Sequence, residues 1–344
     1  MPLLTSKRKK NQKERNDSGL PLLEPLEQVH PVHCSEQAKA YFAHYGLDCR
    51  ADIEHLFGSF VSGPYQLAAH IYRPARYEAA VILLHGYLSH SGQLRHLLSA
   101  LLENHFAAAL FDWPGHGLST GPHASINHFE EYTIALADFL QKVRARLHGP
   151  YFALGFSMGA AVLTDALLTG SVSSLERVIL AAPLLRWTAY NLSKPLWKTA
   201  RCFTDRIPRI QRKNSSDPEF LSFNRTGDFL HARVVSLQWV KALYIWNDKL
   251  QTLPPSDRDI LILQPQKDKT VAWPYNLKIL QNKFPAAQIH MLPGARHELF
   301  NEARPYRQAA IRAVLDYFSG KEPFLFSQKP VKIGLENNQK SENP

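Results

Sequence analysis

The sequence predicts an α/β fold in which a mostly parallel central sheet carries helices on both faces and an inserted, mainly helical cap. Short aliphatic segments alternate with segments of helical periodicity along most of the 344-residue chain. Five of the six predicted strands are nearly continuous apolar runs, as expected for strands that are buried on both faces. Between the fourth and fifth strands, aromatic residues, prolines and basic residues replace this pattern, which indicates an insertion.

The individual elements follow from the apolar pattern. Strands are predicted at 80–84, 107–111, 151–154, 178–181, 260–263 and 288–291. Helices are predicted at 93–103, 129–146, 159–168, 274–283 and 305–318. In the second helix, apolar residues recur every three or four positions from Phe129 to Val143 and form a stripe that is expected to face the core.

The composition along the chain predicts its division into domains. Both ends are polar and show little periodicity, which is typical of flexible tails. A loop of some 70 residues without structure is implausible inside a compact domain, so the irregular stretch is interpreted as a cap. The predicted parts are a basic N-terminal tail, the first part of the core, the cap, the second part of the core and a C-terminal tail, at 1–33, 34–185, 186–256, 257–322 and 323–344.

Several classes of protein are not favoured by the composition. The longest apolar runs are far shorter than the roughly 20 residues that cross a bilayer, and the first residues lack the apolar segment of a signal peptide. Three cysteines are too few for a disulfide framework and lack the paired spacing of a zinc site. The sequence therefore predicts a cytoplasmic protein without a transmembrane helix, a metal or a cofactor.

The net charge of +10 is concentrated in two segments. Residues 1–19 have six basic and two acidic residues, and residues 186–256 have twelve basic and five acidic residues. The remainder of the chain is close to neutral. Because short basic runs such as Lys7 to Arg15 are usually solvated tails, nucleic-acid binding is not predicted.

The strongest chemical signal is the G-x-S-x-G motif at residues 155–159. It lies between a predicted strand and an Ala- and Leu-rich helical segment, which is the context of a nucleophile elbow. In such a turn the serine hydroxyl is exposed, and neighbouring backbone leaves no room for bulky flanking side chains. Ser157 is therefore the predicted nucleophile. The competing interpretation is a glycine-flanked serine in an ordinary turn.

A serine hydroxyl needs a base to become a good nucleophile at neutral pH. Reactive groups of an open α/β sheet gather at the carboxyl ends of its strands, which among sixteen histidines selects His85, His116 and His297. His297 follows the serine in the chain, as the order serine, acid, histidine requires, and is the predicted base. His85 and His116 are expected to orient loops or fill polar pockets. His90 and His96 are expected to be structural or solvated.

The base needs a carboxylate that fixes its tautomer and stabilises the imidazolium. Asp268 follows the fifth predicted strand and precedes the histidine by one helix and one strand, so it is the predicted acid. Asp165 lies within a predicted helix, and Asp259 precedes a strand at its wrong end. Neither is expected to reach the histidine.

Attack on a carbonyl creates an oxyanion that backbone N–H groups can stabilise, at roughly 3 to 4 kcal/mol each. The residue after the nucleophile usually provides one donor, and the loop after the first predicted strand provides the other. The predicted donors are therefore the N–H groups of Met158 and Tyr87, the latter following Gly86.

With these residues the chain resembles the serine hydrolases of the monoacylglycerol lipase and bacterial lysophospholipase group, which are serine aminopeptidase S33-like α/β-hydrolases. The resemblance spans roughly residues 60–320 and includes the elbow, HG followed by HSG at 85–92, DWPGHGLS at 112–119, APL at 182–184 and PGARHE at 293–298. It implies the α/β-hydrolase fold, a serine triad and no cofactor. Histidine usually precedes the elbow serine in this group, whereas this chain has Phe156.

The resemblance further implies that the cap, residues 186–256, covers the active site and receives a lipid-like substrate. Its large apolar side chains are expected to pack within the cap or to line an acyl groove; they are Trp187, Tyr190, Leu192, Leu196, Trp197, Phe203, Phe220, Phe223, Trp239, Tyr244 and Trp246. Its positive charge favours an anionic partner, either a lysophospholipid head group or the inner face of an anionic membrane. The competing interpretation of the charge is a solubilising surface.

The function predicted from the sequence is hydrolysis of lysophospholipids or monoacylglycerols through an acyl-enzyme intermediate. The same triad could serve a transacylase or a peptidase of proline-iminopeptidase type, and these alternatives stay open. A protein that binds a ligand without turnover is the alternative from another class, and it would not be labelled by a fluorophosphonate probe.

Overall fold

The computed structural model describes residues 20–29, 35–48, 51–200, 202–210 and 212–321. The strands within these residues are β1 Ile53–Ser62, β2 Tyr65–Pro74, β3 Ala80–Leu84, β4 Ala107–Phe111, β5 Tyr151–Phe156, β6 Leu175–Ala181, β7 Arg206–Pro208, β8 Val234–Ser236, β9 Leu261–Pro265 and β10 Gln288–Leu292. The α-helices are α1 Glu36–Tyr45, α2 Arg95–Glu103, α3 Glu130–Arg144, α4 Met158–Leu168, α5 Tyr190–Ala200, α6 Pro218–Ser222, α7 Leu237–Thr252, α8 Trp273–Lys283 and α9 Arg304–Phe318.

Eight strands form one sheet in the order β1-β2-β4-β3-β5-β6-β9-β10. The strands from β4 to β10 in this order are parallel, whereas β1 pairs antiparallel with β2, and β2 with β4. The predicted mostly parallel sheet is therefore confirmed. The hairpin of β1 and β2 was not predicted, because polar residues such as His55 and Ser59 interrupt its apolar pattern.

The sheet is covered on both faces. Because successive side chains of a strand point to opposite faces, Ile82 of β3 lies in one buried cluster and its neighbours Val81 and Leu83 lie in another. Helices α3, α4 and α7 contribute to the first cluster, and α1, α2 and α9 to the second. The predicted apolar stripe of α3 is buried in the first cluster, from Phe129 through Val143.

Part of the predicted N-terminal tail, residues 1–33, packs on the core. The N–H of Leu26 donates to the Ser59 carbonyl at 2.8 Å, and the Ser59 N–H donates to the Glu24 carbonyl at 2.7 Å. Leu26 is buried in the same cluster as the sheet. The apolar residues at 20–29 thus cover the edge strand β1.

The described residues of the segment between β6 and β9 form three α-helices, a short π-helix Phe223–Gly227 and a small antiparallel sheet of β7 and β8. β6 and β9 are nevertheless neighbours in the main sheet. Helix α7 of the segment is fixed to the core, because the buried Trp246 donates its indole N–H to Asp165 Oδ1 at 2.9 Å. Leu192 and Phe203 are 73% and 85% exposed, so they neither pack within this segment nor line a groove. The predicted boundaries at 33, 185, 256 and 322 stay predictions.

Some sequence predictions fall on residues that the structure does not describe. The basic stretch Lys7 to Arg15 lies outside the described residues, as do residue 322 and the whole of the predicted tail 323–344. The side chain of Leu196 is not described either. Within the described ranges, no helix has both the length and the apolar character that crossing a membrane requires.

Candidate active site

Ser157 occupies a sharp turn between β5 and α4, at the carboxyl end of the central strand. Its backbone has φ 53° and ψ −107°, a conformation that non-glycine residues rarely adopt. Such backbone strain costs about 1–3 kcal/mol and is kept only where the surrounding structure enforces it. Here the Ser157 N–H donates to the Ala181 carbonyl at 2.9 Å, which anchors the turn to the adjacent strand β6.

The two glycines of the G-x-S-x-G motif are required by close backbone contacts. A Cβ atom at Gly155 would lie 2.4 Å from the Gly159 carbonyl oxygen, and one at Gly159 would lie 2.4 Å from the Leu84 carbonyl oxygen. Neither backbone oxygen can move without disturbing the turn or the sheet. The sequence motif is therefore a direct consequence of how closely α4 approaches β3 and β5.

The structure brings Ser157, His297 and Asp268 into one hydrogen-bonded chain. His297 Nε2 lies 3.1 Å from Ser157 Oγ, and His297 Nδ1 lies 2.7 Å from Asp268 Oδ2. Because a carboxylate only accepts hydrogen bonds, Nδ1 donates to Asp268, and the Nε2 of the neutral ring is left to accept from the serine hydroxyl. All three side chains are buried.

Asp268 is held in place by the turn that follows β9. Its Oδ1 atom accepts hydrogen bonds from the N–H groups of Thr270 at 2.7 Å and Val271 at 3.2 Å. These bonds leave Oδ2 for His297, so the two carboxylate oxygens have separate partners. The backbone thereby sets the direction in which the carboxylate points.

The environment of His297 favours its charged form. Burial disfavours the imidazolium, but the charge of Asp268 and its hydrogen bond outweigh burial and raise the pKa of His297 above its ordinary value of 6.5. The ring of Phe156 lies against the imidazole, with 5.1 Å between ring centroids. The residue that departs from the family pattern thus contacts the predicted base.

The predicted oxyanion donors are Met158, which follows Ser157 in the chain, and Tyr87 in the loop after β3. A Cβ atom at Gly86 would lie 3.3 Å from Ser157 Cβ, so the loop after β3 passes close to the nucleophile. Within the described part of the chain, neither the Tyr87 N–H nor the Met158 N–H has a hydrogen-bond acceptor. The Tyr87 ring is fixed by stacking on Trp239, with ring centroids 3.5 Å apart.

The other histidines have structural contacts. His85 Nε2 accepts the Trp113 N–H at 3.1 Å, and His116 bonds to a backbone carbonyl in its own loop. His90 is buried and bonds to the Asp228 carboxylate at 3.0 Å. These contacts join loops around the site and leave His297 as the histidine beside Ser157.

Asp165 and Asp259, the two carboxylates that were not expected to reach the catalytic histidine, have other partners. Asp165 accepts hydrogen bonds from Thr133 and Trp246 beneath the sheet. Asp259 contacts Gln288 on the surface. In the described ranges, no group of three or more histidine, cysteine or acidic side chains could hold a metal ion.

A cavity of about 500 Å³ opens above Ser157 and His297. Most of its wall is apolar and comes from the segment between β6 and β9, including Trp187, Trp197 and Trp239. These three residues were predicted to pack within the cap or to line a groove, and they line the cavity. A volume of this size suits a small organic ligand or part of a lipid.

Several polar residues of the cavity wall were missed from the sequence, among them Arg209, Asn214, His231 and Glu298. Glu298 directly follows the predicted base and could have been found from that position. The other three lie in the irregular stretch, where no local pattern indicates which side chains face the site.

Comparison with known proteins agrees with this geometry. The family model described as "Serine aminopeptidase, S33" matches residues 75–304, about two thirds of the chain. Phospholipase YtpA of Bacillus subtilis (strain 168) is 24% identical over 249 residues, which cover 68% of this chain and 93% of that protein.

Two solved structures have a similar fold. A soluble variant of monoglyceride lipase from Saccharomyces cerevisiae, in complex with a substrate analog, has a TM-score of 0.67 and 19% identity and covers 76% of this chain and 94% of its own. The monoacylglycerol lipase of Paleococcus ferrophilus has a TM-score of 0.63 and 20% identity and covers 74% and 98%. The chain therefore belongs to the serine aminopeptidase S33 family and has the α/β-hydrolase fold.

Proposed function

We propose that this hydrolase cleaves carboxylic esters of lipid-like substrates, either lysophospholipids or monoacylglycerols, through an acyl-enzyme intermediate on Ser157. The observation that carries the proposal is the hydrogen-bonded chain of Ser157, His297 and Asp268 at the floor of an apolar cavity. The names of the phospholipase relative and the two lipases support the choice of a lipid ester.

The proposed reaction follows from the hydrogen-bond directions. Ser157 Oγ attacks the ester carbonyl while His297 Nε2 takes its proton, and Asp268 stabilises the imidazolium. The carbonyl oxygen becomes an oxyanion that accepts hydrogen bonds from the N–H groups of Tyr87 and Met158. When the intermediate collapses, the C–O bond breaks and His297 protonates the departing alcohol. A water molecule then releases the acid by the same steps.

Substrate profiling of the purified protein tests this proposal. Lysophosphatidylcholine, a monoacylglycerol and a p-nitrophenyl ester with the same acyl chain are compared with an aminoacyl anilide. We expect the esters to be hydrolysed faster than the anilide. Preference for the anilide would support a peptidase, and transfer of the acyl group to an added alcohol faster than to water would support a transacylase.

The raised pKa of His297 sets the expected pH dependence. An imidazolium cannot accept the serine proton, so kcat/KM should fall as the pH decreases through the pKa of His297 in the free enzyme. Because this pKa lies above 6.5, the midpoint of the acid limb should also lie above 6.5. The measurement is kcat/KM for a soluble ester between pH 5 and pH 9, a range of about two pH units on either side of neutrality.

Glu298 provides the control for that profile, since burial also raises its pKa. Glu298→Gln removes this titration but can still accept the hydrogen bond that Asn214 donates to Glu298 Oε1. The acid limb should persist in this variant. A midpoint below 6.5 in the wild-type protein, or loss of the limb in Glu298→Gln, would contradict the assignment to His297.

We further propose that the segment between β6 and β9 contacts anionic membranes. Leu192, Phe203 and Ile210 are between 73% and 85% exposed, an unusual position for large apolar side chains. The side chains of Lys194 and Arg206, which lie near them in the chain, are each 45% exposed and carry positive charge, and each forms a surface ion pair, with Asp248 and Asp205 respectively. Each such cation contributes about 1 kcal/mol near an anionic bilayer.

Vesicle co-sedimentation tests the membrane contact. Binding to vesicles that contain phosphatidylglycerol should decrease with added salt and with Phe203→Ser, and vesicles of phosphatidylcholine alone should bind weakly. Ile134→Ser is the matched control, because Ile134 is 55% exposed on α3, outside the segment. Binding that is insensitive to salt, to anionic lipid and to Phe203→Ser would exclude this contact.

A further inference from the structure

The catalytic cavity contains a cation, Arg209, that forms no direct ion pair among the described residues, although the charges of Glu298 and Asp228 act on it. Arg209 follows β7 and lines the cavity, where its side chain is half-buried. Its position is fixed because its N–H donates to the Arg233 carbonyl at 3.0 Å. Within the described residues, no carboxylate forms an ion pair with its guanidinium group. Arginine is almost never fully buried unless it is paired, and a half-buried guanidinium group can still bind an anion from the cavity.

A second hydrogen-bond donor of the cavity wall is also without an acceptor. His231 is 8% exposed and lines the same cavity, and its Nε2 atom has no hydrogen-bond partner in the described structure. Buried polar atoms are normally paired, so the unpaired Nε2 of a residue in the cavity wall requires an explanation, for which a bound ligand is a candidate. Arg209 and His231 line the same cavity, and the charge of Arg209 contributes to lowering the pKa of the His231 ring.

The hydrogen-bond network behind His231 determines which of its nitrogens carries the proton. Gln93 Nε2 lies 2.7 Å from Asp228 Oδ2 and 3.1 Å from His231 Nδ1. Because the carboxylate needs a donor, the amide nitrogen of Gln93 faces both groups, and Nδ1 must accept. The proton of the neutral imidazole is therefore on Nε2.

The ring also stays neutral. Burial and the nearby charge of Arg209 lower the pKa of His231 far below its ordinary value. The backbone N–H of His231 donates to Asp228 Oδ1 at 3.0 Å, which fixes the residue on the buried carboxylate. His231 is thus a rigid, neutral donor beside a permanent cation.

We propose that Arg209 and His231 form a recognition site for the phosphate group of the substrate, within the same cavity as Ser157. A guanidinium group and an N–H donor are suited to phosphate oxygens, whereas a neutral glycerol head group needs no cation. The proposal rests on the proposed ester hydrolysis and selects lysophospholipids over monoacylglycerols. Glu298 is the one carboxylate among the described residues that line the cavity, and it is hydrogen-bonded to Asn214.

The experiment compares lysophosphatidylcholine and a monoacylglycerol that share a short acyl chain, below the concentrations at which they form micelles. Arg209→Gln should lower kcat/KM for the phospholipid by about tenfold to hundredfold, as expected for loss of a charge-assisted hydrogen bond. Its kcat/KM for the monoacylglycerol should change less than about twofold, since no charged group is lost from that complex. Arg225→Gln removes the same charge from an exposed residue that does not line the cavity, and both substrates should be unaffected.

His231→Phe keeps a ring in the wall and removes the Nε2 donor. We expect it to lower the ratio of the two kcat/KM values in the same direction as Arg209→Gln. This ratio is independent of the fraction of enzyme that is folded, so partial unfolding would not imitate the effect. Equal losses for both substrates in Arg209→Gln, or no loss for either, would overturn the proposed site.

A binding measurement separates this proposal from the proposed reaction. sn-Glycerol 3-phosphate and glycerol are titrated by calorimetry into the Ser157→Ala protein, with and without Arg209→Gln. Glycerol 3-phosphate should bind more tightly than glycerol, and Arg209→Gln should remove this difference. Equal binding of the two compounds would overturn the phosphate site. If the wild-type protein hydrolysed neither lipid, the proposed reaction would fail while the calorimetry still decided the site.

Discussion

Ser157→Ala is expected to lower kcat for ester hydrolysis by about 10⁶-fold, the size of effect seen when a serine nucleophile is removed from a triad. The substitution removes the atom that would form the acyl-enzyme bond and leaves His297 without its hydrogen-bond partner at Nε2. The fold should tolerate the change, because alanine keeps the Cβ atom at φ 53° and Ser157 Oγ has no other side-chain partner in the described structure.

A fluorophosphonate probe provides the measurement, since it labels an activated serine without requiring the natural substrate. The wild-type protein should be labelled and Ser157→Ala should not. Ser193→Ala removes another hydroxyl from the wall of the same cavity and should retain labelling. Labelling that persists in Ser157→Ala, with an unchanged melting temperature, would show that the nucleophile is another residue.

The parts of the structure that were predicted from the sequence are governed by local constraints. β3 and β4 coincide with the predicted strands because both faces of each are buried, which requires an uninterrupted apolar run. The elbow was recognisable because Gly155 and Gly159 have no room for a Cβ atom. Such requirements act on neighbouring residues and are therefore visible in the amino-acid sequence.

The parts that were missed depend on contacts between distant residues. The hairpin of β1 and β2 lies at the edge of the sheet, where polar residues are tolerated, and the segment 20–29 is ordered through contacts with Ser59. Asp228 is buried, yet no neighbouring residue in the sequence indicates this. Its ionised form is stabilised by His90, 138 residues away, and this hydrogen bond forms only after folding.

The candidate active site shows the same difference between local constraints and contacts of distant residues. The order of Ser157, Asp268 and His297 along the strands was sufficient to select three residues that the structure places in one hydrogen-bonded chain. The polar side of the cavity was not predictable, because Arg209 and His231 lie in separate parts of an irregular segment. Their common position depends on the pairing of β7 with β8 and on the buried carboxylate of Asp228.

Asp268→Asn is expected to lower kcat by about 10⁴-fold, because it should reverse the tautomer of His297. The N–H groups of Thr270 and Val271 require an acceptor, so the amide oxygen of the asparagine should occupy the Oδ1 position. The amide nitrogen would then face His297 Nδ1, which could only accept its hydrogen bond. The ring proton would move to Nε2 and point at Ser157 Oγ, where a proton acceptor is needed.

Asp268→Asn distinguishes the role of Asp268 in orienting His297 from the effect of its negative charge. The geometry of the site should be preserved, while the pKa of His297 should decrease, because the negative charge that raises it has been removed. The acid limb of the pH profile should therefore move to lower pH even as kcat falls. Asp259→Asn is the matched control, since this exposed aspartate precedes β9 at its opposite end and should leave both kcat and the limb unchanged. If Asp268→Asn retained more than about a tenth of the wild-type kcat, Asp268 would not be the residue that orients the base, since the loss expected for such a residue is far larger.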